Sequence, residues 1–254
     1  MTKKNAAKKI ITNVIYPIIS LAIALSVWAI VSAIKNNLLV LPMPGIVIER
    51  FFLLMKENSF WISVFSTLGR TIVCFAVSFL VALILALAGR FCSTVHKILM
   101  PLISVLRSAP TVAVILIAYA FFSSKIMACL VGFLIAFPVL YSSFFTALNE
   151  LNGDLFTLAK VYKISFLHKI FGITIPQIAP VLFDAGASTL SLTVKVIISA
   201  EIITCVANSI GGKVQTAYAS FEIEYLLAWT LVAIVLSFLL EFIVNIAKKL
   251  TIRW

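Results

Sequence analysis

Six apolar runs, at about residues 10–34, 63–88, 98–122, 126–148, 181–207 and 226–246, limit what this chain can become. As helices rising about 1.5 Å per residue, each is long enough to cross a hydrocarbon core of roughly 30 Å. The 254 residues are 63% hydrophobic and 11% charged, with mean hydropathy +1.17. One soluble core could not hide that much apolar surface, so the composition predicts an all-α integral membrane protein. The polar loops between the runs are short and leave no room for a soluble catalytic domain. The sequence therefore predicts a single transmembrane domain over 1–254, with about six transmembrane helices.

The basic residues predict how those helices are threaded. Twelve Lys and Arg fall in segments placed on one side of the bilayer: Lys3, Lys4, Lys8, Lys9, Arg90, Lys97, Lys160, Lys163, Lys169, Lys248, Lys249 and Arg253. Five fall on the other: Lys35, Arg50, Lys56, Lys125 and Lys213. The positive-inside rule then puts both termini and residues 150–180 in the cytoplasm of a bacterial cell, with the chain in its inner membrane. The first run is longer than a signal-peptide core of about 7–15 residues and has no clear small-residue cleavage site. Residues 41–61 are amphipathic and broken by Glu49, Arg50, Lys56 and Glu57, which predicts a segment lying at the outer interface. The net charge of +11 is spread along the chain. No arginine-rich, aromatic-interleaved patch points to nucleic acid. Cys74, Cys92, Cys129 and Cys205 are far apart and show no metal-ligand spacing.

Residues 150–180 are the one long polar interruption. Asn152-Gly153-Asp154 reads as a turn with Asp154 as N-cap. Leu155, Leu158, Ala159 and Tyr162 recur at helical spacing on one side of a short helix. Ser165 could cap a second, with Leu167, Ile170 and Phe171 on its apolar side and Pro176 and Pro180 ending the pattern. Periodicity alone leaves two readings open: an ordinary connector, or a helical elbow that another protein grips.

The same stretch resembles the cytoplasmic motif of ABC-importer permeases of the binding-protein-dependent family: E-A-A, three residues, G, nine residues, I-x-L-P. Thr157-Leu158-Ala159, Lys163 and Ile173-x-Ile175-Pro176 stand at those positions without a gap. Thr157 replaces the glutamate and Lys163 the glycine. A non-glycine residue held left-handed costs roughly 1–2 kcal/mol, unless the turn is rebuilt. Leu41-Pro42-Met43-Pro44 and Ser66 to Arg70 resemble signatures of the nitrate, sulfonate and taurine branch, and the Leu106-to-Pro110 run LRSAP and Ala200-Glu201-Ile202 resemble the family's LR-x-I/L-P and A-E-L/I motifs. The closing basic-then-Trp pattern fits as well. The resemblance implies a permease subunit working as two copies in the bilayer, gripping an ATP-binding cassette subunit through Asp154, Leu155, Thr157, Leu158, Ala159, Tyr162, Lys163 and Pro176. It also implies an extracytoplasmic solute-binding protein, no cofactor on this chain, and ATP with Mg in the partner ATPase. The implied solute is small and polar or anionic, nitrate-, sulfonate- or taurine-like or a pyrimidine or thiamine precursor.

Chemistry-bearing residues are sparse. Gly211-Gly212-Lys213 lacks the upstream glycine and the following Ser or Thr of a phosphate-binding loop, so energy must come from another chain. His96 and His168 stand apart. Arg107, Asp184, Lys195 and Glu201 lie within the runs, where an ionisable group costs on the order of 2.5–3.5 kcal/mol and faces a cavity or a partner. Arg107 and Lys195 could line the solute path, with Glu201 in a gating role, or Arg107 could pair with Glu201 merely to hold helices together. Arg70 and Glu241 read as snorkelling near span ends. A secondary transporter without an ATPase is the alternative function, but it would need a carboxylate or sodium site in broken helices. A membrane-embedded enzyme would call for clustered polar residues.

Overall fold

The computed structural model describes residues 15–35 and 40–252. The amino-terminal lysines, the start of the first run, Asn36, Asn37, Arg253 and Trp254 lie outside the described residues. Helices follow one another as α1 (Tyr16–Lys35), α2 (Pro44–Leu54), α3 (Asn58–Phe91), α4 (Ser93–Ser108), α5 (Thr111–Phe121), α6 (Ser124–Asn149), α7 (Gly153–Val161), α8 (Phe166–Lys169), a π-helical segment (Ile170–Thr174), α9 (Ile175–Ile203), α10 (Ile210–Ala219) and α11 (Ile223–Thr251). Five helical stretches among the described residues are long and apolar enough to cross a membrane, or six if a bent pair counts as one span.

That bent pair corrects the expectation of a straight third span. α4 and α5 meet at 102°. Pro110 has no N–H to continue α4, and it forces Ala109 into an extended conformation (φ −68°, ψ 131°). Other boundaries shift less. α3 and α11 are longer than the apolar runs that announce them, and α9 starts before its run and ends four residues short of it.

The spans pack through small residues. Along α3 the buried positions include Ser63, Thr67, Thr71, Cys74, Ser78, Ala82, Ala86 and Gly89, one every three or four residues. Small side chains let backbones approach closely in lipid, where no hydrophobic drive separates helix from solvent. The hydroxyls cost little there, because Ser63, Thr71 and Ser78 donate to the carbonyls four residues back at 2.8–2.9 Å. This seam lies against α6 and α9, and α9 itself touches α3, α6, α10 and α11. α9 is thus the central helix.

The outer elements are pinned by polar contacts. Trp28 Nε1 donates to Pro42 O at 3.1 Å and Ser32 Oγ to Leu41 O at 2.8 Å, tying α1 to the proline elbow. Arg50 of α2 pairs with Glu224 at 2.9 Å and lies over the Tyr225 ring, fixing α2 to α11.

Candidate functional site

Two constellations sit at opposite ends of α9. The first is the elbow. Asn152, rather than Asp154, is the N-cap of α7: its Oδ1 accepts from Asp154 N–H at 2.9 Å. Asp154 instead occupies the first turn, where its charge complements the helix dipole. α7 ends in a Schellman turn, with Lys163 N–H donating to Lys160 O at 3.1 Å and Ile164 N–H to Ala159 O at 2.9 Å. That geometry needs a left-handed residue at position 163, and Lys163 supplies it at φ 48°. The lysine thus takes the conformation for which glycine is the ordinary choice, and the turn is not rebuilt.

The turn also decides which side chains face outward. A Schellman motif brings the residue after the turn, Ile164, back towards Ala159, and Ala159 is only 1% exposed. Ala159 therefore belongs to the elbow's interior, in contrast to its expected place on a contact face. Leu155, Leu158, Val161 and Tyr162 remain exposed, Tyr162 at 76%. Val161 joins this apolar face although the spacing had not singled it out. Ser165 Oγ accepts from His168 N–H at 3.5 Å, which starts the next helix. No stop follows: the π-helical segment runs into α9, with Pro176 in its first turn and Pro180 in a helix that continues. Each proline removes one N–H from the ladder, and the helix nevertheless passes through both.

At the other end of α9, Glu201 is fully buried. Its carboxylate accepts from Thr67 Oγ1 at 2.9 and 3.1 Å, from Arg70 Nη1, and from the Gly211 backbone N–H at 3.2 Å. Thr67 Oγ1 in turn accepts from Ile210 N–H at 3.0 Å. The anion thus sits at the N-terminus of α10, which Ser209 caps through Gly212 N–H at 2.9 Å. Close approach is possible only without a side chain at 211, because a Cβ there would lie 2.6 Å from Ile198 O and 2.8 Å from Ile202 N. One carboxylate locks α3, α9 and α10 together. Arg70, read as snorkelling, is Glu201's ion-pair partner, and its side chain is 15% exposed.

The remaining charges separate from this knot. Arg107, at the α4–α5 bend, is exposed and donates to Ser142 Oγ at 3.3 Å, so it does not pair with Glu201. Asp184, Ser188, Lys195 and Ser199 share an exposed face of α9 at helical spacing. Asp184 is bonded there by Lys248 of α11 at 2.6 and 2.7 Å. Among the described residues no three His, Cys, Asp or Glu side chains gather as a metal site.

Residues 78–253 match the family described as the inner membrane component of binding-protein-dependent transport systems. The chain belongs to that family. Similar solved structures share the permease fold. A methionine ABC transporter in inward-facing conformations superimposes with TM-score 0.62 at 17% identity, covering 76% of this chain and 98% of its own. A bacterial alginate ABC transporter, solved with its alginate-pentasaccharide-bound periplasmic protein, gives 0.64 at 13% identity, covering 97% and 98%. No curated protein is similar enough in sequence to be counted a relative. The family match takes in both constellations except for Thr67 and Arg70, which lie upstream of residue 78.

Proposed function

We propose that this permease is the membrane-spanning subunit of an ATP-driven importer and that α7 seats in the groove of a separate ATP-binding cassette subunit. ATP and Mg are held and used by that partner. The observation that carries the reading is the exposed apolar face of Leu155, Leu158, Val161 and Tyr162, on a short helix at the predicted cytoplasmic end of α9. Asp154, Thr157, Lys163 and Pro176 shape this elbow, and Ala159 and Lys163 hold its turn. Both termini lie in the cytoplasm of this reading, as the basic residues indicate. Two copies work together, and an extracytoplasmic binding protein delivers the solute.

The exposed polar face of α9 would be costly against lipid. A water-filled path between two copies suits Ser188, Lys195 and Ser199 far better. Lys195 and Arg107 both bring positive charge, which supports a small polar or anionic solute of the nitrate, sulfonate or taurine type. Glu201 acts away from the path, as the anchor of α10.

The test is Leu158→Glu. Burying a leucine in a partner groove is worth about 1.5–3 kcal/mol, so a charge in its place lowers co-purification of the ATPase at least about tenfold. Thermal stability of the permease stays at the wild-type value, because Leu158 is exposed in the free chain. ATPase retained at the wild-type level by Leu158→Glu counts against the docking role.

A further inference from the structure

Gln177 stands in the first turn of α9, 25 residues along the chain from Asn152, whose backbone N–H donates to Gln177 Oε1 at 2.9 Å. The donor settles which end of the carboxamide points there, since an N–H requires an oxygen acceptor. The other end, Nε2, is buried and has no hydrogen-bond partner. The working atom of this side chain is therefore its oxygen alone.

That oxygen closes a loop. Asn152 caps α7, the Lys163 turn folds α7 back, and the π-helical segment carries the chain without a break into α9. The Asn152–Gln177 bond joins the beginning of this path to its end. Without it, the start of α7 keeps only apolar packing of Leu151 against the cluster that holds Ile178, which has no directional bond to resist rotation, and a load on α7 can fold the elbow instead of moving the span.

We propose that Gln177 is a positioning residue for energy coupling, its carboxamide oxygen clamping the start of α7 to the first turn of α9 so that force on the elbow is delivered to the span. The proposal rests on the reading that α7 docks an ATP-hydrolysing subunit.

The test uses the full-length permease with its ATPase partner in lipid vesicles. Cys92 and Cys205 are replaced by serine, and Ser188→Cys on the exposed face of α9 serves as the reporter. Maleimide labelling of that thiol is timed with and without ATP and vanadate. Gln177→Met keeps the side-chain length and removes the acceptor; Gln177→Glu keeps an acceptor. In Gln177→Met, co-purification and hydrolysis by the ATPase stay within about twofold of wild type, while the ATP-dependent change in labelling shrinks roughly two- to tenfold, the population equivalent of one hydrogen bond. Gln177→Glu restores it. A full labelling response in Gln177→Met overturns the proposal, as does equal loss in both variants or loss of the ATPase from Gln177→Met. A wild-type permease that retains no ATPase and shows no labelling response overturns the docking reading itself.

Discussion

Replacing Glu201 by alanine removes the one acceptor that Thr67, Arg70 and Gly211 share. Deleting one member of a buried ion pair costs about 3–5 kcal/mol, because the other charge is left without compensation. Arg70 is mostly buried, so the upper part of that range is tempered by some access to water. The lost bonds to Thr67 and Gly211 act in the same direction, but all three share one carboxylate and do not add. About 4 kcal/mol is the working figure. With about 2–4 °C per kcal/mol for a chain of this size, the midpoint of thermal unfolding in detergent falls by on the order of 10 °C. The double variant Arg70→Met with Glu201→Met leaves no buried charge and recovers most of the loss. A cycle built from Arg70→Met, Glu201→Met and the double then shows a coupling of about 2 kcal/mol or more. A drop below about 2 °C in Glu201→Ala, or strictly additive singles, would refute the reasoning that this carboxylate holds three helices.

Two further outcomes follow from local geometry. Lys163→Gly relieves a left-handed side chain, a gain of about 1–2 kcal/mol partly offset by about 0.4–1 kcal/mol of added freedom in the unfolded chain; slower limited proteolysis at the elbow is the measurement, and faster cleavage in the glycine variant is the contrary result. Cys92 and Cys205 are both exposed, and the proposed topology puts them on opposite sides of the bilayer. An impermeant maleimide should therefore label Cys205 in cells whose outer barrier alone is opened, and Cys92 only after the inner membrane is breached. Backbone N–H groups of Val95 and Thr94 hold the Cys92 thiol below its usual range, so its labelling rate levels off at a lower pH than that of a free thiol. Labelling of Cys92 from outside would reverse the topology.

The spans were legible because hydrophobic length is a coarse signal that side-chain detail cannot erase. The turns were not. At Lys163, Cys205 and Phe221 the chain leaves α7, α9 and α10 through left-handed residues with the same pair of closing hydrogen bonds, and none of the three is glycine. A reading that looks for glycine at helix ends passes over all of them. The bend after Arg107 was signalled by Pro110 but concealed by the apolar residues on both sides of it. Arg70 and Glu201 each drew notice singly, yet they are separated by 131 residues, and only packing brings them together. The pattern that could have hinted at the meeting was the row of small residues through Thr67 and Thr71, which marks the side of α3 that faces the protein. Ala159 is buried although it shares a side of α7 with exposed leucines, because helical spacing gives the side of a helix but not how much of that side the rest of the fold covers.

The unbroken run of α9 has a mechanical meaning. Its 29 residues make a bar about 43 Å long, and the π-helical turn just before it is the place where such a bar flexes most readily. A swing of about 10° at that pivot carries the far tip sideways by about 7 Å. Because Glu201 bolts that tip to Thr67 and Arg70 of α3 and to the α10 cap, such a swing cannot be made by α9 alone and drags its two neighbours along.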